Sequence, residues 1–121
     1  MTPVVESLSA VTIVTRDMTA AVRFYVALGF HAVTGGPDAA FTSFAVGGQF
    51  LNLIDEGSGP PPTGWGRAIF HVDDVDAIHD LARRQGLTPE FAPRDAPWGE
   101  RYFHIKDPDG HEISFARPLG Q

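Results

Sequence analysis

Apolar and polar positions along the chain predict the same order of elements twice. Residues 11–15 and 68–72 are short and mostly apolar, with β-branched side chains that favour strands. An aspartate follows each run, Asp17 in the first case and Asp74 in the second, and can cap a helix by accepting backbone N–H bonds. Apolar residues then recur at helical spacing until a glycine, which adopts the left-handed backbone that ends many helices. Each half is therefore predicted to begin with a strand and a helix.

The two halves also align with each other without a gap. Residues 10–30 match residues 67–87 at an offset of 57 positions, so that Gly29 falls on Gly86. Repetition at a fixed period is the mark of a duplicated structural unit. Because half a chain of this length is marginal as a separate domain, the two units are expected to pack together.

Each predicted helix is followed by three strand-like runs separated by turn signals. These runs are residues 30–34, 41–46 and 50–54 in the first half and residues 88–93, 100–106 and 112–116 in the second half. The sequence Asp-Pro-Asp-Gly at 107–110 is a typical turn between the last two runs.

The predicted fold class is therefore α+β. We expect one domain of two βαβββ modules in tandem, at about residues 5–55 and 67–118, which form a cleft between curved mixed sheets. The connection at about residues 55–66 is a linker, since its prolines disfavour a central strand and its glycines disfavour a helix.

Composition and net charge exclude some classes of site and partner for this protein. The chain of 121 residues is 43% hydrophobic and has no cysteine, which excludes a disulfide framework, a thiolate metal site and a cysteine nucleophile. A formal net charge of −6 argues against a nucleic-acid partner and mildly favours a neutral or cationic ligand. With no signal peptide and no long apolar run in the sequence, we expect a cytoplasmic protein with no membrane partner.

Two stretches carry a resemblance to a known family. VTIVTRDMTAAVRFYVALGF, at residues 11–30, resembles the opening of a vicinal-oxygen-chelate module. PWGERYFHIKDPDGHEISF, at residues 97–115, resembles the closing hairpin of that superfamily, which includes glyoxalases, bleomycin-resistance proteins and extradiol dioxygenases. The resemblance implies paired βαβββ modules, a ligand cleft lined by the sheets, and a homodimer.

Metal-using members of this superfamily carry His, Glu or Gln at four positions, on the first and last strand of each module. The resemblance places these positions at Ala10, Asn52, Arg67 and Ser114. Ala10 offers no donor, and Arg67 is a permanent cation. Asn52 and Ser114 are weak neutral ligands, whereas a divalent metal needs three or four anionic or imidazole donors. The resemblance therefore implies the metal-free, bleomycin-resistance-like branch, with no metal and no other cofactor.

Alternation along the strands predicts which polar side chains share the cleft. Arg67 can hold a ligand carboxylate or phosphate through its planar fork, or can form an internal ion pair with Glu112 or an aspartate, which is the favoured interpretation. His71 and Glu112 share the cleft parity and His104 lies on a neighbouring strand. These three side chains could form a displaced metal site, or His71 and Glu112 an acid–base pair. A lone strand histidine is more often structural.

Aromatic residues are further candidates for ligand contacts. Trp98 and Tyr102, with Phe50 and Phe103, could stack on a flat ligand, although core packing is the favoured role of the phenylalanines. Trp98 lies in a loop and is the better candidate. Trp65, in the linker, is a candidate for a lid or for a dimer contact.

Three functions stay open at this point. The missing metal ligands favour a metal-free binding protein whose ligand-binding residues are Asn52, Arg67, His71, Trp98, Tyr102, His104, Glu112 and Ser114. The alternative is an enzyme, either a metal-dependent lyase or dioxygenase relative or an isomerase that uses His71 and Glu112. A dimeric interaction module would instead fill the cleft with its own side chains. Pairing of the modules within one chain and exchange between two chains both fit the sequence.

Overall fold

A computed structural model describes residues 2–59 and 64–120, so that part of the predicted linker, 60–63, lies outside the described residues. The first module consists of β1 (Ala10–Thr15), α1 (Met18–Ala27), β2 (His31–Thr34), β3 (Phe41–Val46) and β4 (Gln49–Asp55). The second module consists of β5 (Arg67–His71), α2 (Val75–Arg84), β6 (Arg94–Asp95), β7 (Glu100–Lys106) and β8 (Glu112–Pro118). Both helices have ten residues, and among the described residues no helix has the length and hydropathy that would let it span a membrane.

The helices begin and end where the sequence predicts. The carboxylate of Asp17 accepts a hydrogen bond from the backbone N–H of Ala20, and Asp74 accepts one from Ala77, each at 3.0 Å. Beyond the last turn of α1, Gly29 has a φ of 96°, a conformation that is costly for a residue with a Cβ. The local signals for both helices are therefore confirmed.

Two four-stranded mixed sheets form, in the orders β1-β4-β3-β2 and β5-β8-β7-β6. The first strand of each module runs parallel to the last strand, and the other pairs are antiparallel. Asn52 pairs with Thr12, and Ser114 pairs with Ile69, which is the residue equivalent to Thr12 at the offset of 57. Asn52 and Ser114 are thus equivalent positions of the two modules, and the predicted α+β class with tandem modules is confirmed.

The strand predicted at residues 88–93 does not form. Only a single bridge joins Pro89 to Ile105, and the edge strand β6 is a two-residue segment that begins at Arg94. Pro89 and Pro93 have no backbone N–H to donate to β7, so this run cannot complete a ladder. Phe91 nevertheless packs against β7 and gives the segment its place.

The buried faces of the two sheets share one hydrophobic core. Phe30, which follows α1, lies 5.9 Å from Phe44 of its own module, measured between ring centroids. The same ring lies 5.1 Å from Phe70 and 6.3 Å from Phe115 of the second module. Phe30 therefore joins the modules within the chain. On the faces of the sheets opposite to this core, apolar residues such as Phe50 and Ile69 stay exposed, whereas Tyr102 and Ala116 are buried in a small second cluster.

The turn after β7 connects the modules through polar groups. Asp107 is buried, and its carboxylate accepts hydrogen bonds from the hydroxyl of Tyr25 at 2.8 Å and from the backbone N–H of His111 at 2.9 Å. Asp109 accepts a bond from the backbone N–H of Arg16 at 3.0 Å. Burial, and then the charge of Asp107, raise the pKa of Tyr25. The predicted turn is thus also a contact between the two halves.

Candidate functional site

The first sheet presents an uncharged surface on the side away from the core. We call this side of each sheet its open face. Strands β1, β3 and β4 place Thr12, Ser43 and Asn52 in one row across this face, flanked by Phe50 and other apolar side chains. Phe50 is 41% exposed. The first open face is therefore apolar with small neutral polar groups.

Asn52 is held at the centre of the first open face. Its amide nitrogen donates a hydrogen bond to the hydroxyl of Thr12 at 3.2 Å, while its Oδ1 is buried without a partner among the described residues. Ser43 lies opposite Asn52 on β3. The position has a neutral amide that is already engaged with its neighbour.

The second open face carries charges. Arg67 pairs with Glu112 across β5 and β8, and the guanidinium Nε donates a hydrogen bond to Oε1 of Glu112 at 2.6 Å. The internal ion pair predicted for Arg67 is confirmed. Because 46% of the Arg67 side chain and 23% of the Glu112 side chain are exposed, this pair contributes about 1 kcal/mol or less.

Glu90 and His104 lie next to this ion pair. The backbone N–H of Glu90 bonds to the carbonyl of His104 at 2.8 Å, which fixes Glu90 beside β7. Burial, and then the carboxylate of Glu112, raise the pKa of Glu90. Burial opposes ionisation of Glu112, but the guanidinium of Arg67 and the hydrogen bond of Glu90 outweigh it and lower the pKa of Glu112. Burial, and then the charge of Arg67, lower the pKa of His104.

The structure does not bring His71 and Glu112 together. His71 pairs with Ala116, whereas Glu112 pairs with Arg67, so the two candidates lie four residues apart along the ladder, or roughly 13 Å. They share a face, as their parity predicts, but they are out of reach of each other as an acid–base pair. Within the described residues, no group of three or more His, Cys, Asp and Glu side chains could hold a metal ion, so the displaced metal site is not assembled either.

The four positions that the family resemblance assigns to metal ligands do not fit a metal ion here. Ala10 has no donor atom, and the guanidinium of Arg67 is engaged with Glu112. Ser114 is buried, with its hydroxyl directed at the carbonyl of Phe103 at 3.5 Å. A homodimer would bring the same residue types to these positions. This donor set offers neither the anionic nor the imidazole ligands that a divalent metal requires.

An aromatic cluster lies at the far end of the second open face. Trp98 is 66% exposed, and its ring lies 5.4 Å from that of Tyr102. The guanidinium of Arg94 stands 3.8 Å above the ring of Phe91 and donates to the Tyr102 hydroxyl at 3.3 Å. Phe103 is fully buried and has the packing role that the sequence favours. Tyr102 is only 9% exposed, so Trp98 is the aromatic residue of this cluster that offers exposed surface.

Trp65 is anchored by a histidine that the sequence did not single out. Its indole N–H donates to Nδ1 of His111 at 2.7 Å, so His111 carries its proton on Nε2 and donates to the carbonyl of Val14 at 2.7 Å. His111 is only 2% exposed. Trp65 is thus held by a histidine of the second module that also bonds to the first, and no local motif around position 111 reveals this role.

Solved structures with the same fold include both binding proteins and an enzyme. A bleomycin-binding protein complexed with bleomycin matches with a TM-score of 0.74 and 22% identity, covering 93% of this chain and 98% of that protein. A lactoylglutathione lyase from Agrobacterium tumefaciens matches with a TM-score of 0.73 and 23% identity, covering 91% and 92% of the two chains. At this level of identity the similarity shows the fold alone.

Sequence comparison shows the family. An uncharacterized protein of Mycobacterium bovis is 33% identical over 123 residues, which cover 88% of this chain and 80% of that protein. The family model described as Glyoxalase/Bleomycin resistance protein/Dioxygenase superfamily matches residues 7–115. Because this match spans both modules, the chain belongs to the glyoxalase/bleomycin resistance protein/dioxygenase superfamily.

Proposed function

We propose that this protein binds a small molecule, without a metal ion and without catalysing a reaction. One observation carries the proposal: Ala10, Asn52, Arg67 and Ser114 are the residues at the positions to which the family resemblance assigns the metal ligands. Without such ligands, the features of the chain that can bind a small molecule are the exposed side chains of its two open faces. A relative of the same fold, solved with bleomycin, makes sequestration of an antibiotic or another aromatic compound the natural form of this function.

The proposed ligand contacts come from both open faces. Asn52 and its neighbours supply neutral hydrogen-bonding groups, and Arg67 and Glu112 supply charge. Trp98 supplies exposed aromatic surface, which gives large contact area at a low cost in conformational entropy, and the buried ring of Tyr102 lies against it. The remaining members of the proposed ligand-binding set are His71, His104 and Ser114, of which Ser114 is buried beneath its neighbours.

We also propose that the working form is a cytoplasmic homodimer. Apolar side chains remain exposed on the open faces, among them Ile69 at 56%. A second copy that meets these faces would turn two open surfaces into a cleft, and closed two-fold dimers are the commonest assembly of soluble proteins.

The other two hypotheses receive less support. An isomerase that uses His71 and Glu112 would need the two groups within reach of one substrate atom, and the strand register separates them. An interaction module would fill the cleft with its own side chains. Residues before β7 do cover part of the second open face, where Tyr102 and Ala116 are buried, but Phe50 and Ile69 stay exposed.

Thermal unfolding of tag-free protein tests the proposal. A ligand that binds only the folded state stabilises it and therefore raises the melting temperature. At a ligand concentration of a hundred times the Kd, this stabilisation is about 2.7 kcal/mol. We expect no shift with Zn²⁺, Mn²⁺, Ni²⁺ or Fe²⁺, and a shift with bleomycin or a member of a panel of flat aromatic compounds. The control is a variant with Ala10→His, Asn52→Glu and Arg67→His, which restores three metal donors.

The control variant is expected to acquire a metal-dependent shift that the wild-type chain lacks. Stoichiometric uptake of metal by the wild-type protein, or turnover of a substrate only when metal is added, would overturn the metal-free function. If no compound of the panel shifts the melting temperature at millimolar concentration, the binding function itself fails.

A further inference from the structure

A groove of about 410 Å³ lies where the start of β1 meets β5. Its walls include Ala10 and Phe50 from the first module and Ile69 from the second. Among the described residues that line it, Arg67 is the only one with a charge. Small-molecule sites are mostly apolar, with a few well-placed polar groups and volumes of roughly 300–1,000 Å³. The groove has these features.

The guanidinium of Arg67 has hydrogen-bonding capacity beyond its ion pair. Its Nε and Nη2 both point at the same carboxylate oxygen, Oε1 of Glu112. A guanidinium has five N–H donors in a rigid fork, so three of them remain for another acceptor. Because 46% of the side chain is exposed, a second carboxylate can reach the fork. Bidentate contact with a carboxylate is the geometry for which arginine is best suited.

The charges around Arg67 tolerate an added anion. Lys106 lies opposite Glu112 across β7 and β8, so two cations face the carboxylates of Glu112 and Glu90. With both carboxylates ionised, the two cations balance them, so the cluster has no net negative charge that would repel an anion. The net charge of −6 is spread over the whole chain, and ions screen charges beyond about 8 Å at physiological ionic strength. The local charges therefore decide what the groove binds.

We infer that the groove binds a small organic monoanion with a compact apolar body. The carboxylate of the ligand contacts the guanidinium of Arg67, and its apolar body lies between Ala10 and Phe50 on one side and Ile69 on the other. The small side chain of Ala10 leaves the space for this body. The inference rests on the proposed small-molecule function and narrows its ligand class, in place of the neutral or cationic ligand that the overall charge favours.

A matched pair of probes tests the ligand class. 2-Naphthoate and 2-naphthamide have the same ring system and differ in the charge of one group. For a ligand of this size, binding on the order of 1 mM is expected, which ligand-observed NMR titration measures well. We expect the carboxylate to bind at least about fivefold more tightly than the amide, because only the carboxylate makes a charge-assisted bond to Arg67.

Three variants locate the binding. The double variant Arg67→Gln with Glu112→Gln removes both charges at once, so that neither is left unpaired, and it should abolish the preference for naphthoate. Ala10→Phe fills the groove and should weaken both probes. Arg94→Gln removes a guanidinium that lies against Phe91, away from the groove, and should leave the preference unchanged. Circular dichroism and the melting temperature of each variant confirm folding.

An equal affinity of wild-type protein for the two probes would overturn the inference. So would a preference for naphthoate that survives in the double variant. If neither probe binds while a compound of the aromatic panel shifts the melting temperature, the anion groove is wrong and the general binding function stands. If neither the probes nor any compound of the panel binds, both the anion groove and the general binding function are wrong.

Discussion

Replacing Tyr25 by phenylalanine removes one hydroxyl from the contact between the modules. That hydroxyl donates to Oδ2 of Asp107 at 2.8 Å, and both residues are buried. The other oxygen of the carboxylate keeps its bonds from the backbone N–H groups of Asp109 and His111. The substitution therefore leaves one buried carboxylate oxygen without its partner and changes little else, because a phenylalanine ring occupies the same space.

The size of the effect depends on the charge of Asp107. A hydrogen bond to a charged group contributes about 1.5–3 kcal/mol, against about 1 kcal/mol for a neutral pair. Burial raises the pKa of Asp107, and the bond from Tyr25 opposes that rise. Tyr25→Phe should raise the pKa further. We therefore expect a loss of about 1.5–3 kcal/mol at a pH above the folded pKa of Asp107, and of about 1 kcal/mol at a pH below the pKa of an unfolded aspartate.

The direction of the pH effect follows from proton linkage. A carboxyl group whose pKa is higher in the folded state binds more protons there than in the unfolded chain. Its contribution to stability is therefore fully present below the unfolded pKa and is lost as the pH rises through the folded pKa. Because the variant has the higher folded pKa, it loses more stability over this rise than the wild-type protein does.

Urea unfolding at both pH values, followed by tryptophan fluorescence, measures the difference. The Asp107→Asn background is the control, because it has no carboxyl group to titrate and the pH dependence of the Tyr25→Phe effect should vanish there. A loss of stability below about 0.5 kcal/mol, or one that is the same at both pH values, would refute the reasoning. A changed m-value would show instead that the variant alters the folded or unfolded state as a whole.

Three further substitutions separate stability from binding. Asp74→Ala removes the cap of α2 and should lower the free energy of unfolding by about 1 kcal/mol, measured by urea denaturation, while Asp74→Asn should retain most of it. His111→Phe leaves the indole of Trp65 and the carbonyl of Val14 without partners. It should cost about 1–3 kcal/mol and shift the tryptophan emission spectrum. Trp98→Ala should change stability by less than about 0.5 kcal/mol but reduce the affinity for flat aromatic compounds, measured by titration.

Local sequence signals were sufficient for the repeated elements of the fold. The side chains of Asp17 and Asp74 cap the helices by short-range bonds, so the position of each helix follows from a few neighbouring residues. The missing strand at 88–93 shows the limit of this approach. Its apolar residues favour a strand, but Pro89 and Pro93 remove the donors that a ladder needs.

The candidate site was predictable only in part, because alternation gives the face of a residue and not its distance along the strand. Arg67 and Glu112 proved to be direct partners, whereas His71 is four residues further along. The bond between Tyr25 and Asp107 joins residues 82 positions apart and depends on how the modules pack. Spacing and composition contain no signal for such a contact.

Comparison of the two modules explains why one groove combines apolar and charged walls. The first and last strands pair in the same register in both modules, so Ala10 and Phe50 are the counterparts of Arg67 and Glu112. On the buried side, equivalent positions such as Leu51 and Ile113 are both apolar, because a shared core imposes one requirement on both copies. On the open side the copies differ.

A ligand bound between two identical faces would meet the same chemistry at both ends. Here one face offers the apolar pair of Ala10 and Phe50, and the other offers the ion pair of Arg67 and Glu112. Ala10, Phe50 and Arg67 line the same groove, so a compound with an apolar end and a charged end contacts a matching surface on both sides. A compound that is apolar or charged throughout would leave one side of the groove without a matching group. The double variant Ala10→Arg with Arg67→Ala moves the arginine from one side of the groove to the other. It should therefore bind 2-naphthoate more tightly than the single variant Arg67→Ala.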